Sequence, residues 1–265
     1  MAKITSLSNE KVKLVRALAR RRVRWHEKCF VLEGTRLLSE AVHSEIDVRY
    51  VLYTELAAEN PDIAPLLTVL RQRQIPCHPV TDEVMSACTV MVTSQGVLAV
   101  VSFPDVPAPP DPTWLLIVDS MRTPGNLGAI LRTAAAADVS QVFLSPGTVD
   151  FYNPKVVQGG AGAHFRLPVL ALSWAEIKDR LAGFEIWLAD SQGDHVYTNV
   201  NWQGSVALII GGEAKGASQT ALALARGRVT IPMARAVESL NAAVAAGIIM
   251  FEIVRQRQSC GRIEE

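Results

Sequence analysis

Five nearly continuous apolar runs restrict the fold of this chain more than any other feature: WLLIVDS (114–120), QVFLSP (141–146), EIWLAD (185–190), VALIIGG (206–212) and RVTIPM (228–233). A strand with one wet face alternates apolar and polar residues, whereas a run that stays apolar fits a strand buried on both faces of a parallel sheet. Helical patterns separate the runs, over 127–137, 174–181, 219–225 and 239–257. This alternation predicts an α/β fold whose C-terminal part is a mostly parallel sheet with helices on both faces.

Upstream, the pattern changes at SFPDVPAPPDPTW (102–114), where Pro104, Pro107, Pro109, Pro110 and Pro112 preclude a helix or central strand. Residues 104–113 therefore read as a stiff extended linker. Before it, a helix is expected over 7–24 with Ser8 as N-cap, a strand at CFVLE, a helix over 35–42, and strands over 48–54, 75–80 and 96–103. That is a small α/β domain. The expected division is 1–103, a linker at 104–113, and 114–265, consistent with two modest domains in 265 residues.

Composition narrows the function. Hydrophobic residues make up 49% and charged residues 20%, so a buried core is affordable and global disorder is excluded. No apolar run is long enough to cross a membrane and the start, MAKITSLSNEKVK, lacks an apolar signal core, so a cytoplasmic protein with no membrane partner is expected. Cys29, Cys77, Cys88 and Cys260 are far apart, with no CxxC pair and no histidine at ligand spacing, which reads as free thiols and no metal. Net charge is zero, yet residues 1–28 hold nine lysines and arginines against two glutamates, leaving −7 on the other 237 residues. A run such as ARRRVRW is either a solvated helix face or the footprint of a polyanion.

Three segments carry candidate chemistry. In the first, a strand ends at Asp119, a Pro-Gly turn follows, and Asn126 is placed to cap a helix bearing Arg132, a combination suited to an anion or sugar-phosphate. In the second, a buried strand runs into Gly211-Gly212-Glu213, a loop whose backbone approaches something closely, without the Gly-Lys-Ser/Thr ending of a phosphate-cradling loop. In the third, Ile231-Pro-Met precedes Ser239-Leu-Asn241 and a helix rich in small residues, with Ser239 expected as its N-cap.

In this order and at these separations the three resemble the signature motifs of the SpoU (TrmH-type) branch of the SPOUT RNA methyltransferases: N-x-G-x-x-x-R at Asn126–Arg132, G-x-E-x-x-G at Gly211–Gly216, and I-P-M…S-L-N…V-A-A-G at Ile231–Gly247. The resemblance covers about residues 114–258, and FVLEGTRLLSEAV (30–42) is similar to the L30e-like substrate-binding domain that often precedes that catalytic domain. It implies a trefoil-knotted catalytic domain, a homodimer, and transfer of a methyl group from S-adenosylmethionine to a ribose 2′-hydroxyl of RNA, ribosomal rather than transfer RNA. It assigns Arg132 to the hydroxyl, although an arginine stays protonated at working pH and can equally act as a cation that positions the adjacent phosphate. Asn126 orients the loop or ribose, Glu213 holds Arg132 or a backbone group, and Ser239 and Asn241 complete the wall beside the methyl donor. Main-chain groups around Gly211, Gly212, Ile231 and Leu240 are implied to grip the cofactor.

The chain departs from the family pattern at Arg235, where glycine is usual, and at Gln158 and Gly160, which replace an expected arginine and serine. Two rival readings remain: a nicotinamide-dependent oxidoreductase, prompted by Gly159-Gly-Ala-Gly-Ala163 but failing the G-x-G-x-x-G spacing, and a non-catalytic RNA-binding protein that keeps the SpoU fold.

Overall fold

The computed structural model describes residues 2–213, 216–234 and 238–260; Arg235 lies outside them. In chain order the elements are α1 (Glu10–Ala17), α2 (Arg21–Glu27), β1 (Cys29–Glu33), α3 (Thr35–His43), β2 (Val48–Thr54), α4 (Glu55–Glu59), α5 (Ala64–Gln72), β3 (Cys77–Val80), α6 (Asp82–Cys88) and β4 (Val97–Ser102). There follow β5 (Trp114–Asp119), α7 (Pro124–Ala136), β6 (Gln141–Leu144), α8 (Pro154–Gly160), β7 (Val169–Ala171), α9 (Trp174–Arg180), β8 (Glu185–Ala189), β9 (His195–Val196), β10 (Val206–Gly211), α10 (Gln219–Leu224), β11 (Gly227–Thr230) and α11 (Ala242–Cys260).

They fall into two compact units, Met1–Asp105 with Asp150–Phe165, and Val106–Val149 with Arg166–Glu265. The division differs from a linear one in residues 150–165, which follow the proline-rich segment in the chain yet pack with the N-terminal unit. The reason is chemical. Asp150 accepts from the Nε and Nη2 atoms of Arg24 at 3.1 and 2.5 Å, and Tyr152, Val157 and Phe165 join the apolar layer around Phe30 and Leu32.

The first unit holds a four-stranded sheet ordered β1-β4-β2-β3, in which β4 runs antiparallel to both neighbours and β3 parallel to β2. One face buries Phe30, Val51 and Ala99 against Leu37 and Leu38 of α3 and Leu67 and Leu70 of α5. The other buries Tyr50, Leu52 and Val100 against Val12 and Val15 of α1 and Val84 and Met85 of α6. Cys29, Cys77 and Cys88 are buried free thiols, their pKa values raised by burial.

The single helix expected over 7–24 is two helices, and Asn9, not Ser8, caps the first by accepting from Lys11 N. The break has a visible cause. Arg24 Nη1 donates to the carbonyls of Leu18 and Ala19 at 2.7 and 2.8 Å, so these carbonyls are satisfied without a continuing helix.

The second unit is a seven-stranded sheet ordered β7-β6-β5-β10-β8-β11-β9 with every recorded pairing parallel. The central strands β5 and β10 are the most apolar runs and are buried almost throughout. Leu115, Ile117, Leu188 and Ile209 pack on Ile177 of α9, on Leu181 at its C-cap, and on Ala221 of α10. Alternate residues face the other side, where α11 packs on β10 and α7. The expected α/β class with helices on both faces is what forms. The edge strand β9, two residues long, had no apolar run to mark it, and β7 is only the three-residue middle of the apolar stretch LPVLAL (167–172). Among the described residues no helix is long and apolar enough to cross a membrane.

Candidate active site

Strands β5, β8, β10 and β11 end on the same side of the second unit, and their C-terminal ends meet the loop before α11. In open parallel sheets this is where ligands bind. A cleft of about 530 Å³ opens there, within the size range of small-molecule and cofactor sites. Gly211, Gly212, Glu213, Ile231, Ser239, Leu240 and Asn241 all line it. Three segments separated by up to 30 residues of chain thus share one wall.

Gly211 and Gly212 lie in this wall because nothing larger fits. A Cβ on Gly211 would sit 2.6 Å from the amide nitrogen of Ala217, and one on Gly212 would sit 2.6 Å from the carbonyl oxygen of Ser120. The return of the chain is fixed by Asp119, which is fully buried at the end of β5. Its carboxylate accepts from Ser145 Oγ at 2.7 Å, Ser120 Oγ at 3.1 Å and the backbone amide of Ser218 at 2.7 Å. One carboxylate therefore ties together the ends of β5 and β6 and the loop leaving β10.

Above the glycines runs a directed hydrogen-bond chain. Asn241, not Ser239, caps α11: its Oδ1 accepts from Ala243 N and Val244 N, and its carbonyl accepts from Ala245 N. This turns its Nδ2 outward to donate to Asn126 Oδ1 at 3.1 Å, and Asn126 Nδ2 donates to Glu213 Oε1 at 2.7 Å. The orientation of both amides is set from the two ends, by a helix that needs an acceptor and a carboxylate that needs a donor. Burial pushes the Glu213 carboxyl up. Hydrogen bonds from its own amide, Asn126, Thr123 and the Arg122 backbone outweigh this and hold it below the usual carboxylate value.

Asn126 is not the N-cap expected for α7. That position is Thr123, with Pro124 and Gly125 opening the helix, so Asn126 sits in its first turn and points its side chain at Glu213. Glu213 takes Asn126 and Thr123, not Arg132, as side-chain partners. Arg132 is exposed, makes no hydrogen bond or ion pair among the described residues, and does not line the cleft. The geometry of α7 accounts for this. At 100° per residue, Asn126 and Thr133 share a face, and Thr133 Cγ2 would be 3.7 Å from a Cβ on Gly247 of α11. Arg132 lies about 100° round from that face, away from the wall that holds Asn126.

The cleft also has a rim the motifs did not mark. Ala189, Asp190 and Ser191, at the end of β8, line it. Gly193 beyond them fits because a Cβ there would lie 2.7 Å from the carbonyl carbon of Val229. The end of an apolar run was a usable signal, since strand C-termini are where such sites form.

S-adenosylmethionine fits this cleft by its chemistry. The lining mixes apolar side chains (Ile210, Val229, Ile231, Leu240, Ile249) with loop backbone, and among the described residues Ile231 and Leu240 enter no backbone–backbone hydrogen bond outside strands and helices. Peptide groups at such positions are free to meet an adenine edge or ribose hydroxyls.

Residues 113–251 match the family model described as the SpoU rRNA methylase family, and residues 9–99 match that of the MRM3-like substrate binding domain. The chain is 30% identical over 255 residues to the 23S rRNA (guanosine(2553)-2′-O)-methyltransferase RlmP of Bacillus subtilis, spanning 96% of this chain and 99% of that one. Its fold is similar to that of the AdoMet-bound rRNA methyltransferase from Sinorhizobium meliloti, with a TM-score of 0.82 at 27% identity, over 96% of this chain and 97% of that one. It is also similar to the SpoU methyltransferase AviRb from Streptomyces viridochromogenes, in complex with AdoMet, with a TM-score of 0.83 at 28% identity, over 95% and 99%. With the second and third motifs lining one cleft, the first joined to it through Asn126, and the family model spanning more than half its length, the chain belongs to the SpoU family of rRNA methylases.

Proposed function

We propose that this chain transfers the methyl group of S-adenosylmethionine to a ribose 2′-hydroxyl of structured ribosomal RNA, with 23S rRNA as the substrate and the cytoplasm as its place of work. The observation that carries this reading is the convergence of Asn126, Glu213 and Asn241 in one hydrogen-bonded chain beside the glycine wall. When bound, S-adenosylmethionine supplies an electrophilic methyl on a sulfonium. The residues around it have the remaining tasks. Main-chain groups at Gly211, Gly212, Ile231 and Leu240 hold the nucleoside, Ser239 and Asn241 close the wall, and Glu213 fixes Asn126 in place. Arg132, a permanent cation, binds the phosphate next to the target and sets the 2′-oxygen in line with the methyl, the hydroxyl proton leaving to water as the C–S bond gives way to the C–O bond. The reaction is tested with substrate RNA carrying a 2′-deoxy nucleotide at the target. No methyl should be accepted there, and methylation persisting on the base would overturn the ribose assignment.

The working unit in this reading is a homodimer with composite sites. Two features support it. Arg132 projects away from the cleft of its own chain, and α11 leaves Val244 and Phe251 half exposed, seven residues apart on one stripe, with Ile248 between them. A second copy seated on that stripe would bring its Arg132 to this cleft. Mixing Arg132→Ala and Asn241→Ala proteins under subunit exchange then produces one intact site per mixed dimer, so about a quarter of normal activity should return. No recovery, despite demonstrated exchange, would mean that Arg132 serves its own chain. The trefoil knot implied by the family resemblance belongs to the same proposal.

A further inference from the structure

The basic run of α2 contains a tryptophan that the methyl-transfer reading leaves unused. Trp25 is 37% exposed although it belongs to an aromatic cluster: it meets Phe103 at 5.4 Å and Tyr152 at 6.0 Å, both steeply inclined, while Phe103 and Tyr152 stack on each other at 3.7 Å. Its position is fixed by its polar end, where Nε1 donates to Asp150 Oδ1 at 2.7 Å. Around the exposed indole stand cations. Lys28 Nζ lies 5.1 Å from the ring centroid, Arg21 is two-thirds exposed with its Nε 3.7 Å from Asp150 Oδ1, and Arg20 and Arg22 are exposed with no ion pair among the described residues. The carboxylates nearby are already engaged, Asp150 by Arg24 and Glu27 by His26.

We propose that Trp25 is a stacking platform for an unpaired base of the RNA substrate, flanked by Arg20, Arg21, Arg22 and Lys28 as phosphate contacts. The proposal rests on the RNA reading given above. A fixed, partly exposed aromatic ring set among exposed cations is the combination that binds single-stranded nucleic acid: the ring takes a base face and the cations take the backbone. Lys28 over the ring is a weak exposed cation–π contact that a base can displace, moving the ammonium to a phosphate. A purely electrostatic surface needs no tryptophan, and a purely structural tryptophan would be covered, as Phe30 is in the same cluster.

The test uses the full chain and an unstructured oligoribonucleotide of about a dozen residues, with affinity measured by fluorescence anisotropy across a salt series. Trp25→Leu should weaken binding about tenfold at every salt concentration without changing the log–log slope, by loss of one stacked base. Trp25→Phe, which also loses the bond to Asp150 but keeps an aromatic face, should stay within about threefold of the parent. Arg21→Ala combined with Arg22→Ala should instead lower the slope by about 1.4, the value for two phosphates on a single strand. An oligonucleotide with abasic residues leaves the protein untouched, and it should bind the parent as weakly as the intact one binds Trp25→Leu. Equal affinity of parent and Trp25→Leu, or equal affinity for intact and abasic strands, would overturn the stacking site while leaving RNA binding intact. Absence of any RNA binding by the parent would overturn the functional reading as well.

Discussion

Arg24 and Arg132 are the same side chain in opposite circumstances. Arg24 is 2% exposed and gives Nε and Nη2 to Asp150 and Nη1 to two carbonyls. Four of its five N–H donors are engaged and the group is buried, so its charge reaches little outside the N-terminal unit. Arg132 has an exposed guanidinium with no partner among the described residues, on the helix whose first turn feeds the cleft network. An arginine whose donors are mostly taken up by its own fold is a structural strut; one whose donors meet solvent is available to a phosphate. Satisfaction of the donors, not charge or sequence neighbourhood, separates the two.

The contrast can be broken in three places. Arg132→Ala should lower methyl transfer at least a thousandfold, with S-adenosylmethionine affinity within a few-fold by calorimetry and an unchanged melting temperature. Affinity lost together with activity would make Arg132 part of the cofactor wall instead. Arg24→Ala should do the reverse. Removing one partner of a buried pair costs about 3–5 kcal/mol, so the N-terminal unit should unfold at markedly lower denaturant, while cofactor affinity at the cleft persists. A neutral result in urea titration would mean that Asp150 finds another partner at once, Arg21 being 3.7 Å away.

The third prediction sharpens the buried side of the comparison. His164 is fully buried in the aromatic cluster, stacked on Phe151 at 4.1 Å, with Nε2 hydrogen-bonded to the Phe151 carbonyl and Nδ1 without a partner among the described residues. Burial pushes its pKa down to about 4, against smaller upward pulls from the Phe151 carbonyl and Asp150. The unfolded chain, with an ordinary histidine near 6.5, binds the proton first. Stability is therefore complete above about pH 6.5 and falls as pH drops toward 4, by about 3 kcal/mol in all. In His164→Gln this acid limb should flatten in denaturant titrations between those pH values; an identical limb would assign it to carboxylates.

Much of this architecture was readable in the residues because it follows from burial. The runs at 114–119 and 206–211 are strands within a residue of their expected limits, since only a doubly covered strand stays apolar so long. The cleft residues were legible for a different reason: Gly211 and Gly212 are forced by backbone approach, and polar Asn241 at the head of an apolar helix needs a partner. What failed was local. Ser8, Asn126 and Ser239 were each plausible caps, but Asn9, Thr123 and Asn241 hold those positions, because capping preferences differ little among neighbouring polar residues and tertiary bonds decide. The departures at Gln158 and Gly160 proved to be packing features. Gln158 Nε2 donates to the Glu33 carbonyl at 2.9 Å, and a Cβ on Gly160 would sit 3.0 Å from the His164 ring. Nothing in the sequence pointed from Arg24 to Asp150, a partner 126 residues away.

That separation has a consequence for how the protein is born. Synthesis runs from N- to C-terminus, so the N-terminal unit reaches Asp105 about 45 residues before Asp150 leaves the ribosome, a wait of seconds at ordinary elongation rates. Throughout it, Arg24 has no carboxylate to meet and Phe30 lacks the Tyr152 and His164 rings that will lie 4.9 and 6.0 Å away. The nascent unit is open on its aromatic side, and it closes only after β5, α7 and β6 have already been made. The second unit is thus begun before the first is finished, and a fragment cut at the proline-rich segment carries the lesion of Arg24→Ala in mirror image: the guanidinium kept, its carboxylate gone.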